Sequence, residues 1–181
     1  DPVLSRGLGD VYKRQRKYDL SQIKGRRVST KEVARLIKEQ KSIGIYYGYA
    51  EAGQRSLGNR SIVYTAFDPD GKDVVNKIKK REWYRPFAAS VLEEDAHLFF
   101  DIDKPSPFMT QCYTVKKNVN IPSVTHIDNT CRYQTVDPNN KYFYKLLKEF
   151  KKITGESIIL NTSLNIGGKP IMSNKRDLLW F

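Results

Sequence analysis

Two segments carry a clear helical period. Phe143, Leu146, Leu147, Phe150 and Ile153 recur at intervals of three and four residues, which puts them on one face and predicts an amphipathic helix over 141–154. Gly155 follows, where a helix C-terminus favours a left-handed residue. Val33, Leu36 and Ile37 repeat the pattern on a smaller scale, and Ser29 with Glu32 forms a capping box ahead of them, so a helix is predicted over 30–40. Val74, Val75 and Ile78 mark a shorter helix with a basic far end, and another short one is predicted over 93–100. Ser173 reads as the N-cap of a last helix through Asp177, Leu178 and Leu179.

Between these lie apolar runs too short for helices. Residues 43–47 and 157–160 read as buried strands, 86–92 and 108–115 as strands flanking the short helix, and 121–127 and 132–136 as two more. Glu51 to Arg60 is a polar, glycine-containing loop, and Asn161 to Asn165 a polar turn. Helices alternating with strands, with no internal repeat, predict a single α/β domain with a twisted mixed sheet and flanking helices.

Composition narrows this further. A chain of 181 residues with 39% apolar and 12% aromatic residues has enough material for one core, burying roughly 70% of its unfolded surface. The apolar content excludes a disordered or collagen-like chain, and no run of about 18 apolar residues is available to span a membrane. Asp1 to Arg6 lacks the basic start and apolar core of a secretory signal, so a cytoplasmic protein is expected. Cys112 and Cys131 fit two reduced thiols, without the spacing of a zinc site. Residues 5–15 resemble the translated end of a sequencing-library adapter; residues 1–15 are therefore set apart and 16–181 taken as the domain, with its C-terminus expected to be cut short.

The net charge of +12 points to an anionic partner: nucleic acid, nucleotide or a phosphorylated small molecule. Lys141, Lys145, Lys148 and Lys152 stand opposite the apolar stripe of their helix, and such a stripe is ordinarily a solvated face. The loop from Glu51 holds a denser set, Arg55, Asn59, Arg60 and Ser61 around Gly53 and Gly58, a mix suited to phosphate or carboxylate oxygens and equally to a plain surface turn. Next comes a basic segment with Lys79, Arg81 and Arg85. Pro86 biases Arg85 toward an extended backbone at the mouth of a strand, which favours a ligand role, whereas Arg81 beside Glu82 reads as an ion pair. Trp83 and Tyr84 are read as core aromatics before base-stacking ones.

The segment from His126 follows a strand, and alternation would place His126 and Asp128 on one face, where a proton relay and a hydrogen-bonded structural pair are both open readings; two ligands are too few for a protein-only metal site. Arg132 offers another anion contact. Asn161 and Ser163 follow a strand, the usual place for ligand contacts in an open α/β sheet. No G-x-S-x-G, Walker A or G-x-G-x-x-G pattern is present, which argues against a triad hydrolase or P-loop enzyme.

Four blocks, in this order and spacing, resemble the C-terminal domain of O-carbamoyltransferases of the nodulation and antibiotic-biosynthesis type. They are Glu51-x-Gly53-x-Arg55-x-Leu57-Gly58-Asn59-Arg60-Ser61-Ile62, Asn76-x-Ile78-Lys79-x-Arg81-Glu82-x-Tyr84-Arg85-Pro86-Phe87-Ala88, His126-x-Asp128-x-Thr130-x-Arg132-x-Gln134-Thr135-Val136, and Asn161-Thr162-Ser163-Leu164-Asn165 with Pro170-Ile171. Ala89, Asn129 and Leu164 depart from the usual proline, glycine and phenylalanine, and Gly167 and Gly168 stand where some members have an arginine.

The resemblance implies a YrdC-like domain that converts carbamoyl phosphate and ATP, with Mg²⁺, to carbamoyl-adenylate. It also implies a preceding actin-like ATPase-fold domain that passes the carbamoyl group to a hydroxyl acceptor. Lys79, Arg85 and Arg132 are then the expected carbamoyl-phosphate and nucleotide ligands, with His126 and Asp128 supporting the site, and Asn161 and Ser163 lining it. The alternative is a basic RNA-binding module of the same fold. Against it, the basic residues stand singly within Gly- and Pro-framed motifs instead of in an arginine-rich tract.

Overall fold

The computed structural model describes residues 27–102 and 104–180, so the adapter-like segment 1–15 lies outside the described residues. Its elements are α1 (Thr30–Lys38), β1 (Ile43–Tyr46), β2 (Arg60–Thr65), α2 (Gly71–Lys79), β3 (Ala88–Leu92), α3 (Ala96–Phe99) entered through a 3-10 turn at Glu93–Asp95, β4 (Gln111–Thr114), β5 (Thr130–Val136), α4 (Lys141–Thr154) and β6 (Ile158–Ser163). A 3-10 helix over Lys175–Trp180 follows.

The two strongly periodic segments fold as expected. Ser29 caps α1 by accepting the Glu32 N–H at 3.2 Å, and Gly155 ends α4 with φ of 85°. The α4 lysines are solvated, and several are neutralised within the chain, Lys151 by Asp95 at 2.7 Å and Lys148 by Glu94 at 3.3 Å.

The six strands form one mixed sheet in the order β1-β2-β6-β3-β5-β4, parallel only between β3 and β5. β6 therefore lies near the middle although it is last in sequence. Alternation along the strands divides the core in two. Ile62, Tyr64, Ala89, Val91, Tyr133, Ile158 and Leu160 meet Phe87, Phe99 and Phe100 on one face. On the other, Ile45, Val63, Leu92, Val136 and Ile159 lie under α1 and α4, against Val33, Ala34, Ile37, Phe143, Leu146, Leu147 and Phe150.

Several expectations are corrected. β1 is an edge strand in which only Ile45 is buried. Residues 60–65 are a fully buried strand that begins at Arg60, where the sequence suggested the end of a loop. Residues 121–127 form turns, because Ile121 and Val124 are buried three apart and the Val124 and Thr125 N–H groups both bond to the Ile121 carbonyl. Asn161 to Ser163 continue β6 instead of turning. After Ser173 the chain makes a 3-10 helix entered through Asn174, whose Oδ1 accepts the Arg176 N–H at 2.9 Å, while Asp177 Oδ2 accepts the Ser173 and Asn174 N–H groups at 2.8 and 3.0 Å.

Candidate active site

The second face of the sheet changes character half-way along. Beyond the apolar residues under α1 and α4, the same face presents Ser61, Asn161, Ser163, Ala88, Ser90, Gln134 and Arg132, and the loop 51–59 takes the place of a helix over it. The register sets Arg132, Ala88 and Asn161 side by side on β5, β3 and β6. At about 4.8 Å per strand, the arginine and the amide stand roughly 10 Å apart, with a methyl group between them.

Above this row is a cavity of about 130 Å³ lined by Arg55, Arg81, His126, Arg132, Asn161 and Ser163 among others, none of them a carboxylate. It shares Gln54, Arg55, Met109 and Arg132 with a larger cavity of about 1200 Å³. Burial and the neighbouring Arg132 hold the Arg55 guanidinium below its ordinary pKa, as expected where cations face one another over an anion site.

Arg81 is braced on several sides. Its Nε donates to Asn76 Oδ1 at 2.6 Å, its Nη2 donates to the Pro86 carbonyl at 3.3 Å, and its guanidinium lies 4.2 Å over the Phe87 ring. Burial, then Arg85, push it down to about 10. The expected partnership is exchanged: Glu82 pairs with Arg85 at 2.9 Å, both exposed, and it is Arg81 that faces the cavity. Arg85, expected as a ligand, does not line it. Trp83 and Tyr84 are exposed instead of core.

Lys79 is buried at the end of α2. Its Nζ donates to the Ser163 carbonyl at 2.6 Å and to the Asn165 Oδ1 and carbonyl at 2.7 and 3.0 Å, with Ser163 Oγ 3.3 Å away. Burial and Arg81 push the amine down to about 7. Ser163 in turn donates to Asn165 Oδ1 at 2.6 Å. The fold thus joins Lys79-x-Arg81 to Ser163-x-Asn165, bringing in Arg81, which the sequence suggested as an ion pair with Glu82, and Asn165, which it suggested as the end of a turn.

His126 and Asp128 do not share a strand face. The Thr130 hydroxyl links them, lying 3.1 Å from His126 Nδ1 and donating to Asp128 Oδ1 at 2.7 Å, while His126 Nε2 sits 3.1 Å from the Phe87 carbonyl. The Thr130 bonds hold the exposed Asp128 carboxyl below the usual carboxylate range. His126 lines the small cavity; Asp128 does not.

The first block divides by function. Glu51 Oε1 accepts the N–H groups of Leu57, Asn59 and Arg60 at 3.0, 2.9 and 3.0 Å, and so folds the loop around one carboxylate. Gly58 has φ of +116°, and a Cβ there would stand 2.6 Å from Phe143 Cγ, so the loop reaches α4 only with glycine at this position. Arg60 is fully buried on the face opposite the cavities. Its guanidinium lies 3.6 Å over the Tyr46 ring and donates to the Tyr47, Asn59 and Gly48 carbonyls at 2.6, 2.9 and 3.2 Å. The structure places it as a clip between strands, correcting its expected ligand position. Ser61 accepts the Gly58 N–H at 3.1 Å and is likewise internal; Asn59 lines the larger cavity.

Among the described residues there is no group of three or more His, Cys, Asp or Glu side chains placed to hold a metal ion.

The chain resembles several known proteins. It is 45% identical over 143 residues to the nodulation protein NolNO of Sinorhizobium fredii, covering 75% of this chain and 21% of that protein. It is 41% identical to the nodulation protein NolO of Bradyrhizobium diazoefficiens, covering 76% and 26%. An uncharacterised protein of Methanocaldococcus jannaschii is 39% identical over 81% of this chain and 25% of its own. The chain thus spans about a quarter of the length of these relatives. Among solved structures, full-length HypF in its phosphate- and nucleotide-bound form superposes with a TM-score of 0.60 at 20% identity, over 87% of this chain and 20% of that one. P. abyssi Sua5 complexed with L-threonine gives 0.58 at 15%, over 84% and 44%. These two show the fold, a YrdC-like mixed sheet with flanking helices. With the carbamoyltransferase C-terminus family model matching residues 34–181, nearly all of the described structure, the chain belongs to the carbamoyltransferase C-terminal family.

Proposed function

We propose that this chain is the carbamoyl-activating domain of an O-carbamoyltransferase, forming carbamoyl-adenylate from carbamoyl phosphate and ATP. The observation that carries this reading is the convergence of Arg55, Arg81 and Arg132 on one cavity that no carboxylate lines, in a chain of this family. Adenylate formation crowds negative oxygens together and calls for neutralisation and alignment more than for a protein nucleophile. Water cleaves the P–O bond of carbamoyl phosphate to give carbamate and phosphate. A carbamate oxygen then attacks the α-phosphorus of ATP, the new O–P bond forming as the bond to pyrophosphate breaks.

The guanidinium forks of Arg81 and Arg132 take phosphoryl oxygens, with Arg55 closing from the loop side. Lys79 lines neither cavity; buried beside Ser163, it holds Ser163 and Asn165 in place behind the site. The larger cavity takes the nucleotide, where Tyr47 and Tyr142, stacked 4.0 Å apart, offer an aromatic surface to the base. Mg²⁺ would arrive on the ATP phosphates. Transfer to a hydroxyl acceptor falls to an actin-like ATPase-fold domain in the remainder of proteins about four times this length. No helix among the described residues is long and apolar enough to cross a membrane.

The test is pyrophosphate release from ATP and Mg²⁺ by this chain. Release that requires carbamoyl phosphate and is lost in Arg132→Ala is expected. Failure of carbamoyl phosphate to bind by calorimetry, with no release, would overturn the proposal.

A further inference from the structure

Asn161 sits in a central strand, fully buried, and lines the small cavity. Its Nδ2 donates to the Ser56 carbonyl at 3.0 Å and to Ser90 Oγ at 2.9 Å, with Gln134 Oε1 3.3 Å away. A backbone carbonyl can only accept, so the Ser56 contact settles which end of the amide is nitrogen. Ser90 Oγ spends its own proton on Gln134 Oε1 at 2.8 Å, and Gln134 Nε2 donates to the Leu57 carbonyl at 3.2 Å, which locks the network in one sense. The oxygen at the other end, Asn161 Oδ1, has no hydrogen-bond partner among the described residues.

A buried acceptor left alone is costly, and native structures keep few of them. Asn161 lines the cavity that three arginines also line, and Oδ1 is the end of its amide that the network leaves unheld. Those arginines are donors only, suited to oxygens. The site therefore offers cations for an anionic group together with one unused neutral acceptor, a combination that fits a ligand carrying both a phosphate and an N–H. Carbamoyl phosphate is such a molecule. Acetyl phosphate, nearly its equal in shape and charge, has a methyl group where carbamoyl phosphate has NH2.

We infer that Asn161 selects the carbamoyl group, its Oδ1 accepting a hydrogen bond from the carbamoyl NH2. Ala88, beside Asn161 in the register, keeps the floor low enough for a small planar group between Asn161 and Arg132. The inference rests on the proposed function, since it takes the arginines as the phosphate site. A site built around a substrate N–H rejects an analogue that lacks it, because the buried acceptor is then left unpaired.

Calorimetry with carbamoyl phosphate, acetyl phosphate and inorganic phosphate tests this. The wild-type chain should bind carbamoyl phosphate at least about tenfold more tightly than acetyl phosphate. The nearly isosteric Asn161→Leu should bring the two to the same affinity, with inorganic phosphate within about twofold of wild type. Selectivity that survives Asn161→Leu, or a wild type that binds both acyl phosphates equally, would overturn the assignment while leaving the phosphate site standing. If neither binds the wild type, the proposed function falls and the inference with it. Because Asn161→Leu also strips partners from Ser56 and Ser90 and could fail to fold, the side-chain carboxamide signals of Asn161 should be followed by NMR in the wild type. Carbamoyl phosphate should shift them and acetyl phosphate should not; equal shifts would overturn the inference.

Discussion

Lys79 and Asn165, 86 positions apart, are joined twice, the amine of one donating to both the side-chain and the backbone oxygen of the other at 2.7 and 3.0 Å. Burial and the adjacent Arg81 lower this amine to about 7 from its ordinary 10.5. The unfolded chain keeps the proton up to about 10.5, so between the two values the unfolded state binds more protons and stability rises with pH. Below about 7 the full cost of charging the buried amine is present. The melting temperature of the wild type should climb between pH 7 and 9.5 more steeply than that of Lys79→Met. Parallel melting curves for the two proteins across that range would refute the coupling.

Arg81 and Arg85 make opposite forecasts. Arg81 faces the anion cavity with its guanidinium held over Phe87, whereas Arg85 is exposed and paired with Glu82. Arg81→Ala should weaken carbamoyl phosphate binding by at least about tenfold, the loss of one charge-assisted bond, and Arg85→Ala by less than about twofold. Arg81→Lys should still bind poorly, since the fork is lost. Calorimetry on the three variants decides, and equal losses in Arg81→Ala and Arg85→Ala would reverse the assignment.

Arg60 should behave as structure. Its guanidinium satisfies three carbonyls and covers Tyr46 on the face away from the cavities. Lysine cannot reach all three and leaves at least one buried carbonyl alone, so Arg60→Lys should cost about 2 kcal/mol, or roughly 4–8 °C in melting temperature. Phosphate affinity measured below that melting point should be unchanged. A stable variant with lost affinity would return Arg60 to the ligand set.

Salt separates the small-ligand reading from a nucleic-acid one. A surface tracking phosphates releases many counterions, and its affinity for RNA should fall by about 10³ or more between 50 and 200 mM salt. Binding of carbamoyl phosphate at the arginine cavity should fall far less. Tight, salt-sensitive RNA binding by this chain, with no response to carbamoyl phosphate, would favour the RNA module.

What the sequence showed and what it hid have physical causes. α1 and α4 were legible because an apolar stripe, three residues in one and five in the other, has one natural arrangement, with the stripe on the core. β2 was not, because Arg60 and Ser61 look like the tail of a polar loop until the strand's alternation sends them to opposite faces, one under Tyr46 and the other under Ser56. The polar end of β6 misled for a related reason. Asn161 is tolerated mid-sheet only because Ser56, Ser90 and Gln134 come from three distant places to meet it.

The four blocks were visible, and the fold does bring Arg55, Arg132, His126, Asn161 and Ser163 to one cavity. The choice between Arg81 and Arg85 was not open to sequence reading. Adjacency to Glu82 suggested the first, but a turn carrying an Arg85 N–H to Glu82 carbonyl bond brings residues three apart together, and the pair formed there.

The single carboxylate of Glu51 at the centre of its loop bears on how a ligand is received. Holding residues 57, 59 and 60 by their N–H groups, it fixes the backbone on the C-terminal side of Arg55. Fixing a backbone costs roughly 1–2 kcal/mol per residue in conformational entropy. For residues 57–60 that cost falls on folding, so a ligand that orders Arg55 has only the short exposed stretch between Glu51 and Ser56 left to fix.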